Sequence, residues 1–286
     1  MKYLCTLSDY GYIHHGLALY DSLIETTKDD FVLYYLTLDE KIESKLKELN
    51  LPKIKIVTLK ELISKNEDLS KYSYKEYQDF VWMLASYFSN FLLKNEPISH
   101  ITYIDSDIYF YEDIQIFYDE IGDKSVGIIR HRHIPENVYS PDGKYNVGVV
   151  YFNKDKVGSY CLEWWKDAVF FKKYPQLATC YDQKYLEGFS MIFKNGEICV
   201  VDKTFSHGAP WHNTFYDWSF YESEKNVLWE GRKDKYLFHH FSRLKFDFEN
   251  GTYSDVWNRG FNIPEVLKLY QDYFDIIKNT YKKYNI

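Results

Sequence analysis

The sequence predicts an α/β protein with a mainly parallel mixed sheet, flanked by helices and followed by an amphipathic C-terminal helix. Two observations support this fold class. Strand-like and helix-like segments alternate through the first half of the 286 residues, and strands that alternate with helices form parallel sheets covered on both faces. Segment 264–284 starts with Pro264, a residue favoured in the first helical turn, and repeats apolar residues at helical spacing.

The elements of the first half follow from the spacing of their apolar residues. Alternating or continuous apolar runs of about 5–8 residues indicate strands, and apolar residues three or four positions apart indicate helices. The predicted strands are 2–8, 30–38, 53–59, 101–107 and 125–130; the predicted helices are 14–27, the segment with Ile42, Leu46 and Leu49, 75–94 and 114–120.

The second half has a less regular pattern. A turn leads into a strand at 145–153, a helix covers 157–171, and a short helix at 182–188 is closed by Gly188. A loop-rich aromatic region follows over 207–258. The amphipathic C-terminal helix is expected to pack on the body of the protein, with peripheral membrane contact as the alternative.

Composition and charge exclude several classes of protein. Apolar residues make up 45% and aromatic residues 20%, enough for a sizeable core. The 29 tyrosines bring hydroxyls that suit sugar and nucleoside pockets, or reflect a compositional bias that also enriches Lys, Ile and Asn. A net charge of −7 without a Lys/Arg block argues against nucleic acid as the main partner. The four cysteines are widely spaced, which predicts a protein without a zinc site. The sequence has no apolar run as long as a signal peptide or a membrane span, which predicts a soluble, cytoplasmic protein.

Two aspartates, Asp105 and Asp107, follow an apolar run that has the pattern of a buried strand. In extended backbone, residues i and i+2 point to the same side, so the two carboxylates are held together, which is unfavourable without compensation. One interpretation is a solvated turn. The other is a divalent cation held by hard oxygen ligands, with a substrate phosphate completing its shell, and the end of a strand is where such sheets bind ligands.

The first strand ends in a polar and aromatic loop. The dinucleotide fingerprint G-x-G-x-x-G and the P-loop are both absent from the sequence. Thr6, Asp9 and Tyr12 could instead hydrogen-bond and stack a nucleobase. Ordinary turn chemistry, with Asp9 near a helix start, is the alternative.

Further polar residues stand beside buried segments. Asn146 and Gly148 open a strand, where the glycine allows close approach of a ligand or marks a bulge. Asp182 and Gln183 start a short helix, where Asp182 is either an N-cap or a carboxylate that faces a reacting carbon. The Gly/Pro-shaped loop "FSHGAPWHN" suits a sugar platform, and "FHHFSRLK" supplies two histidines and a lysine.

Together these segments resemble bacterial glycosyltransferases of the GT-A fold, related to the glycogenin and lipopolysaccharide-galactosyltransferase group. The resemblance covers most of residues 2–245 and consists of six segments in the expected order, "CTLSDYGYIHHGLALYDSL", "ITYIDSD", "YNVGVVYFN", "YDQKYL", "HGAPWHN" and "HHFSRLK". It implies a GT-A domain over 1–262 with a helix at 263–286 packed on it.

The resemblance also implies an activity. A sugar would pass from a nucleotide-diphosphate sugar, a UDP-sugar in particular, to a glycan or glycoconjugate acceptor, as in polysaccharide biosynthesis. The reaction would need Mn²⁺ or Mg²⁺ and would retain the anomeric configuration. Two other classes stay open: a non-catalytic carbohydrate-binding protein, and a phosphatase with an aspartyl nucleophile.

Site residues carry over by position. The implied metal ligands are Asp105, Asp107 and His240, with His239 as the alternative to His240. Asp182 and Gln183 correspond to the position that faces the anomeric carbon. The residues assigned to the nucleotide sugar are Thr6, Asp9, Tyr12, Lys75, Ser106, Asn146 and Lys245. The residues assigned to the acceptor are His207, Trp211 and Asn213.

Overall fold

The computed structural model describes residues 1–72, 76–132, 139–193, 196–201, 203–257 and 259–286. Its strands are β1 Lys2–Ser8, β2 Phe31–Thr37, β3 Ile54–Thr58, β4 His100–Ile104, β5 Ile108–Phe110, β6 Val126–Arg130, β7 Tyr145–Asn153, β8 Ile198–Val201, β9 Phe205–Gly208, β10 Asn226–Trp229, β11 Arg232–His240, β12 Leu244–Asp247 and β13 Thr252–Asp255.

The helices are α1 Ile13–Thr26, α2 Glu40–Leu49, α3 Leu59–Ser64, α4 Glu67–Ser70, α5 Tyr77–Asn95, α6 Gln115–Ile121, α7 Lys156–Phe170, α8 Glu187–Ile192, α9 Tyr221–Glu224 and α10 Pro264–Tyr284. Side-chain caps explain where some of them begin. Asp39 accepts hydrogen bonds from the first turn of α2, and Asp155 does the same for α7. Such caps satisfy backbone donors that a helix N-terminus leaves unpaired.

The chain forms two compact units. Unit 1 comprises Met1–Tyr10, Asp29–Asp105 and Ile121–Val201, and unit 2 comprises Gly11–Lys28, Ser106–Glu120 and Asp202–Ile286. The predicted division at residue 263 stays a prediction.

Unit 1 contains a seven-stranded sheet in the order β3-β2-β1-β4-β7-β6-β8. Pairing is parallel except that β7 runs antiparallel to both β4 and β6. The predicted mainly parallel mixed sheet is therefore confirmed. The register between β6 and β7 shifts between Ile128 and Ile129, whose partners are Val150 and Asn146. Gly148 lies in this irregular stretch, which supports its interpretation as a bulge residue.

Unit 2 contains a sheet built from β10, β11 and β5, with β9 also paired to β11, and a hairpin of β12 and β13. The expectation of a loop-rich region over 207–258 was therefore wrong. Its strands were missed because several have only four residues and are separated by turns. The β10–β11 turn, for example, uses Glu230 and Gly231 at positive φ of 51° and 78°, as tight hairpins require.

The C-terminal helix α10 is confirmed and packs inside unit 2. Tyr273 and Ile277 of α10 are fully buried in one cluster with Ala18 of α1. The Tyr273 ring stacks on Phe241 at a centroid distance of 3.6 Å. Burying a side chain of this size stabilises the fold by roughly 1.5–3 kcal/mol.

Gly188 does not close a helix, contrary to expectation. It lies inside α8, directly after a 3-10 helix at Gln183–Leu186. A Cβ at this position would lie 2.3 Å from the Trp164 ring. Close packing against Trp164, and not a helix end, is the reason for glycine here.

Candidate active site

The two aspartates lie where the chain leaves β4 and enters β5. The backbone N–H of Asp105 donates to the carbonyl of Gly148 at 2.9 Å. One carboxylate oxygen of Asp105 accepts a hydrogen bond from the hydroxyl of Tyr103 at 2.8 Å. Tyr103 belongs to β4 and is buried, so the orientation of Asp105 is fixed by both its backbone and its side chain.

Asp107 is paired with His240 inside unit 2. Strand β11 runs antiparallel to β5 with His240 opposite Ile108, and Phe241 N–H donates to the Asp107 carbonyl at 2.8 Å. This register brings His240 Nε2 to 3.1 Å from Asp107 Oδ1, with only 10% and 14% of the two side chains exposed. Burial raises the pKa of Asp107. The charges of His240 and, more weakly, His15 lower it by more, so the pKa of Asp107 lies below its usual value.

Asp107 and His240 lie side by side in unit 2, and Asp105, the last residue of its segment of unit 1, precedes Asp107 by two positions in the chain. Two carboxylates and one imidazole form a donor set that suits a divalent cation. A cation would also compensate the repulsion between two carboxylates that are partly removed from water. The residues present therefore fit a divalent metal.

The neighbouring histidine, His239, points to the opposite side of β11. Successive residues of a strand face opposite sides of the sheet. The His239 ring is fully buried, with Nδ1 hydrogen-bonded to the Tyr236 hydroxyl at 2.6 Å and Nε2 to the Tyr270 hydroxyl at 3.3 Å. Of the two histidines, His240 is thus the one beside Asp107.

Asp182, Gln183 and Asn146 come together in unit 1. The Asn146 side chain donates to Gln183 Oε1 at 2.8 Å and accepts from Gly148 N–H at 2.8 Å. Gln183 Nε2 donates to the carbonyl of Asp142 at 2.7 Å. Both ends of the Gln183 amide are therefore held. Asn146 links this amide to Gly148, because it accepts from the Gly148 N–H, and the Gly148 carbonyl in turn accepts from the Asp105 N–H.

Asp182 is buried, and burial followed by the charge of Asp105 raises its pKa well above the usual range. Its backbone carbonyl accepts a hydrogen bond from Trp165 Nε1 at 3.0 Å. A cavity of about 120 Å³ adjoins Asp182 and is also lined by Asp79, Lys172 and Tyr181. A carboxyl with a raised pKa beside a cavity is a candidate functional group.

The residues assigned to the nucleotide lie in different environments. Thr6 is fully buried, and within the described residues its hydroxyl oxygen has no hydrogen-bond partner. Such a hydroxyl costs stability unless a ligand satisfies it. Tyr12 is exposed and Ser106 is buried, and Asp9 is partly exposed. Lys75 lies outside the described residues.

The residues assigned to the acceptor are buried in unit 2. The His207 ring stacks on Phe238 at 5.4 Å. Asn213 is fully buried and donates to the carbonyl of Arg259 at 3.1 Å. Trp211 is also buried, in ring contact with His240 at 6.0 Å. Trp211 is thus in ring contact with the Asp107–His240 pair.

Lys245, five residues after His240, is exposed on β12 with Ser254 as its neighbour on β13.

Two residues that contribute to the site were missed from the sequence. Tyr103 could have been found, because it lies two residues before Asp105 and shares its face of the strand. His15 of α1, which acts electrostatically on Asp107, carried no such signal.

Within the described residues, no helix is both long and apolar enough to cross a membrane.

Two proteins of Bacillus subtilis are similar in sequence. The uncharacterized protein YfnF is 26% identical over 280 residues, which cover 94% of this chain and 90% of YfnF. The uncharacterized protein YfnD is 25% identical over 191 residues, 64% of this chain and 60% of YfnD. No family model matches the chain.

Solved structures of glycosyltransferases share the fold. Mouse xyloside xylosyltransferase 1 superposes with a TM-score of 0.54 at 17% identity, covering 85% of this chain and 98% of that one. The galactosyltransferase LgtC, solved with donor and acceptor sugar analogs, gives a TM-score of 0.54 at 15% identity, covering 84% and 87%. The bifunctional glycosyltransferase WbbM gives 0.51 at 14% identity, covering 74% and 40%. The predicted GT-A fold is confirmed.

Proposed function

We propose that this protein is a metal-dependent glycosyltransferase. It would move a sugar from a nucleotide-diphosphate sugar, a UDP-sugar in particular, to a saccharide or glycoconjugate acceptor, with retention of the anomeric configuration. The observation that carries the proposal is the pairing of Asp107 with His240, two residues after Asp105, in a chain with the fold of known glycosyltransferases.

Asp105, Asp107 and His240 would hold the cation, which when bound neutralises the charge that develops on the departing diphosphate. A protein with a net charge of −7 can then accept an anionic donor at this point. Lys245 is exposed on β12, the strand that follows β11 in the chain, and we propose that it binds a phosphate of the donor. The unsatisfied hydroxyl of Thr6, with Asp9 and Tyr12, supports a role in holding the nucleoside.

In the reaction, the bond between the anomeric carbon and the diphosphate oxygen breaks and its electron pair leaves with the diphosphate. The acceptor hydroxyl oxygen bonds to the anomeric carbon on the same face, and its proton passes to the departing diphosphate oxygen. Gln183 would present an amide dipole, oriented by Asn146 and Asp142, to the positive charge on the sugar ring. Asp182 precedes Gln183 in the chain, and burial and the charge of Asp105 raise the pKa of its carboxyl.

The test is UDP-sugar hydrolysis and transfer by the purified protein with Mn²⁺ and with chelator. Asp107→Asn should abolish both activities while the melting temperature stays within a few degrees of wild type, because the amide keeps the size of the side chain. Asp123→Asn, at an exposed aspartate, is the matched control and should leave turnover unchanged. Near-normal turnover by Asp107→Asn, or by wild type in chelator, would remove the metal role.

The same assay distinguishes the alternatives. A non-catalytic carbohydrate-binding protein would show no Mn²⁺-dependent donor hydrolysis, and a phosphatase with an aspartyl nucleophile would form a phospho-enzyme. NMR assignment of the product anomer tests the stereochemistry, and an inverted product would refute the retaining mechanism.

A further inference from the structure

We propose that Trp257 and Arg259 form a subsite for an acidic sugar ring of the acceptor. The inference rests on the proposed glycosyltransferase function and identifies the class of acceptor, a glycan with a carboxylate on a pyranose ring. In this proposal the acceptor is bound by an exposed surface of unit 2 and not by the buried Asn213.

Trp257 is connected to the Asp107–His240 pair by direct ring contacts. The Trp257 indole is 37% exposed and meets Trp211 edge-to-face at a centroid distance of 5.7 Å. Trp211 is buried and meets the His240 ring at 6.0 Å. An exposed indole is therefore linked to a proposed metal ligand through one buried ring, which puts it on a surface that an acceptor sugar could reach.

The backbone around Trp257 is held on both sides. Trp257 N–H donates to Asp255 Oδ1 at 2.8 Å, and the second oxygen of Asp255 accepts from the Tyr270 hydroxyl at 3.4 Å. On the far side, Asn213 donates to the carbonyl of Arg259 at 3.1 Å. These bonds hold the backbone of Trp257 and of Arg259 before a ligand arrives, which lowers the entropic cost of binding.

The two side chains together match one ligand chemistry. An indole face is a large, rigid apolar surface, which suits the C–H face of a pyranose. The guanidinium carbon of exposed Arg259 lies over the Trp257 ring, 5.8 Å from its centre. A guanidinium binds a carboxylate through two parallel hydrogen bonds. A pyranose packed on the exposed part of the Trp257 indole, beside Arg259, would thus bring a ring carboxylate within reach of the guanidinium.

Saturation-transfer NMR with methyl β-D-glucuronide and its neutral counterpart methyl β-D-glucoside, in the presence of UDP and Mg²⁺, tests the subsite. Wild type should transfer saturation to the ring protons of both sugars and bind the glucuronide more tightly. Trp257→Ala should weaken binding of both by about tenfold or more, as expected for truncating a tryptophan anchor. Arg259→Gln should weaken only the glucuronide. Tyr160→Ala, which removes an exposed aromatic ring of α7, is the control and should change neither.

Saturation transfer that is unchanged in Trp257→Ala, equal loss of both sugars in Arg259→Gln, or no transfer from wild type would each overturn the subsite. UDP-sugar hydrolysis is measured on the same samples. Hydrolysis that persists without sugar binding refutes the subsite alone. Trp257-dependent sugar binding without any hydrolysis refutes the proposed function and leaves the binding surface standing.

Discussion

Replacing Asn146 by Asp tests whether the orientation of Gln183 matters for transfer. The change keeps the acceptor for Gly148 N–H and removes the donor to Gln183 Oε1, now at 2.8 Å. The amide cannot simply rotate, because Gln183 Nε2 already donates to the carbonyl of Asp142 at 2.7 Å. The variant therefore leaves a carboxylate oxygen facing an amide oxygen in a buried place.

The magnitude follows from these contacts. Loss of one buried hydrogen bond with an acceptor left unsatisfied costs about 1–3 kcal/mol of folding free energy. If about 2 kcal/mol of that interaction is also lost in the transition state, kcat for transfer falls about 30-fold. Urea unfolding measures the first quantity, and turnover with a saturating UDP-sugar and Mn²⁺ measures the second.

Asn262→Asp makes the same chemical change at an exposed turn and should keep the wild-type kcat and an unfolding free energy within about 1 kcal/mol of wild type. If Asn146→Asp unfolds at a lower urea concentration but keeps its kcat within twofold of wild type, the orientation of Gln183 has no part in the chemistry and the assignment is refuted.

Three further outcomes are expected. Gly208→Ala should lower the unfolding free energy by about 3 kcal/mol or more, because its Cβ would lie 1.4 Å from the Tyr236 hydroxyl; an unchanged urea midpoint would contradict this packing. Tyr273→Phe should cost about 1–3 kcal/mol by leaving His15 Nδ1 without its 2.8 Å partner, and a smaller change in urea unfolding would argue against that bond. In chelator, Asp182→Asn should become more stable than wild type as pH rises above about 4, because the raised pKa of Asp182 makes its ionisation unfavourable in the folded state; urea midpoints that differ equally at pH 3 and pH 7 would refute that cause.

Short-range patterns in the sequence predicted much of the fold. The first strand and the strand at 145–153 have their predicted bounds, since long apolar runs bounded by polar residues leave little choice of pairing. Gly188 was misread as a helix end because its close packing against Trp164 depends on a distant segment. The short strands over 207–258 were missed because several have only four residues, and because β11 pairs with β5, which is distant in the sequence.

The candidate site divides in the same way. The Asp105–Asp107 spacing is visible in the sequence, but the choice between His239 and His240 depends on the register of β11 against β5, which no local pattern encodes. Trp257 was one of several tryptophans in an aromatic region, and only its exposure and its contact with Trp211 distinguish it.

Calorimetric titration of Mn²⁺ into the UDP-saturated protein tests the central claim most directly. With Asp105, Asp107 and His240 as the proposed ligands, we expect one Mn²⁺ bound per chain in wild type. Binding should be at least about 100-fold weaker in Asp107→Asn, because losing a ligand should cost no less than losing a hydrogen-bond partner of a ligand, which costs about 10–100-fold. The control Asp123→Asn should bind like wild type. Equal Mn²⁺ affinity in wild type and Asp107→Asn, or no Mn²⁺ binding by wild type with UDP present, would contradict the account.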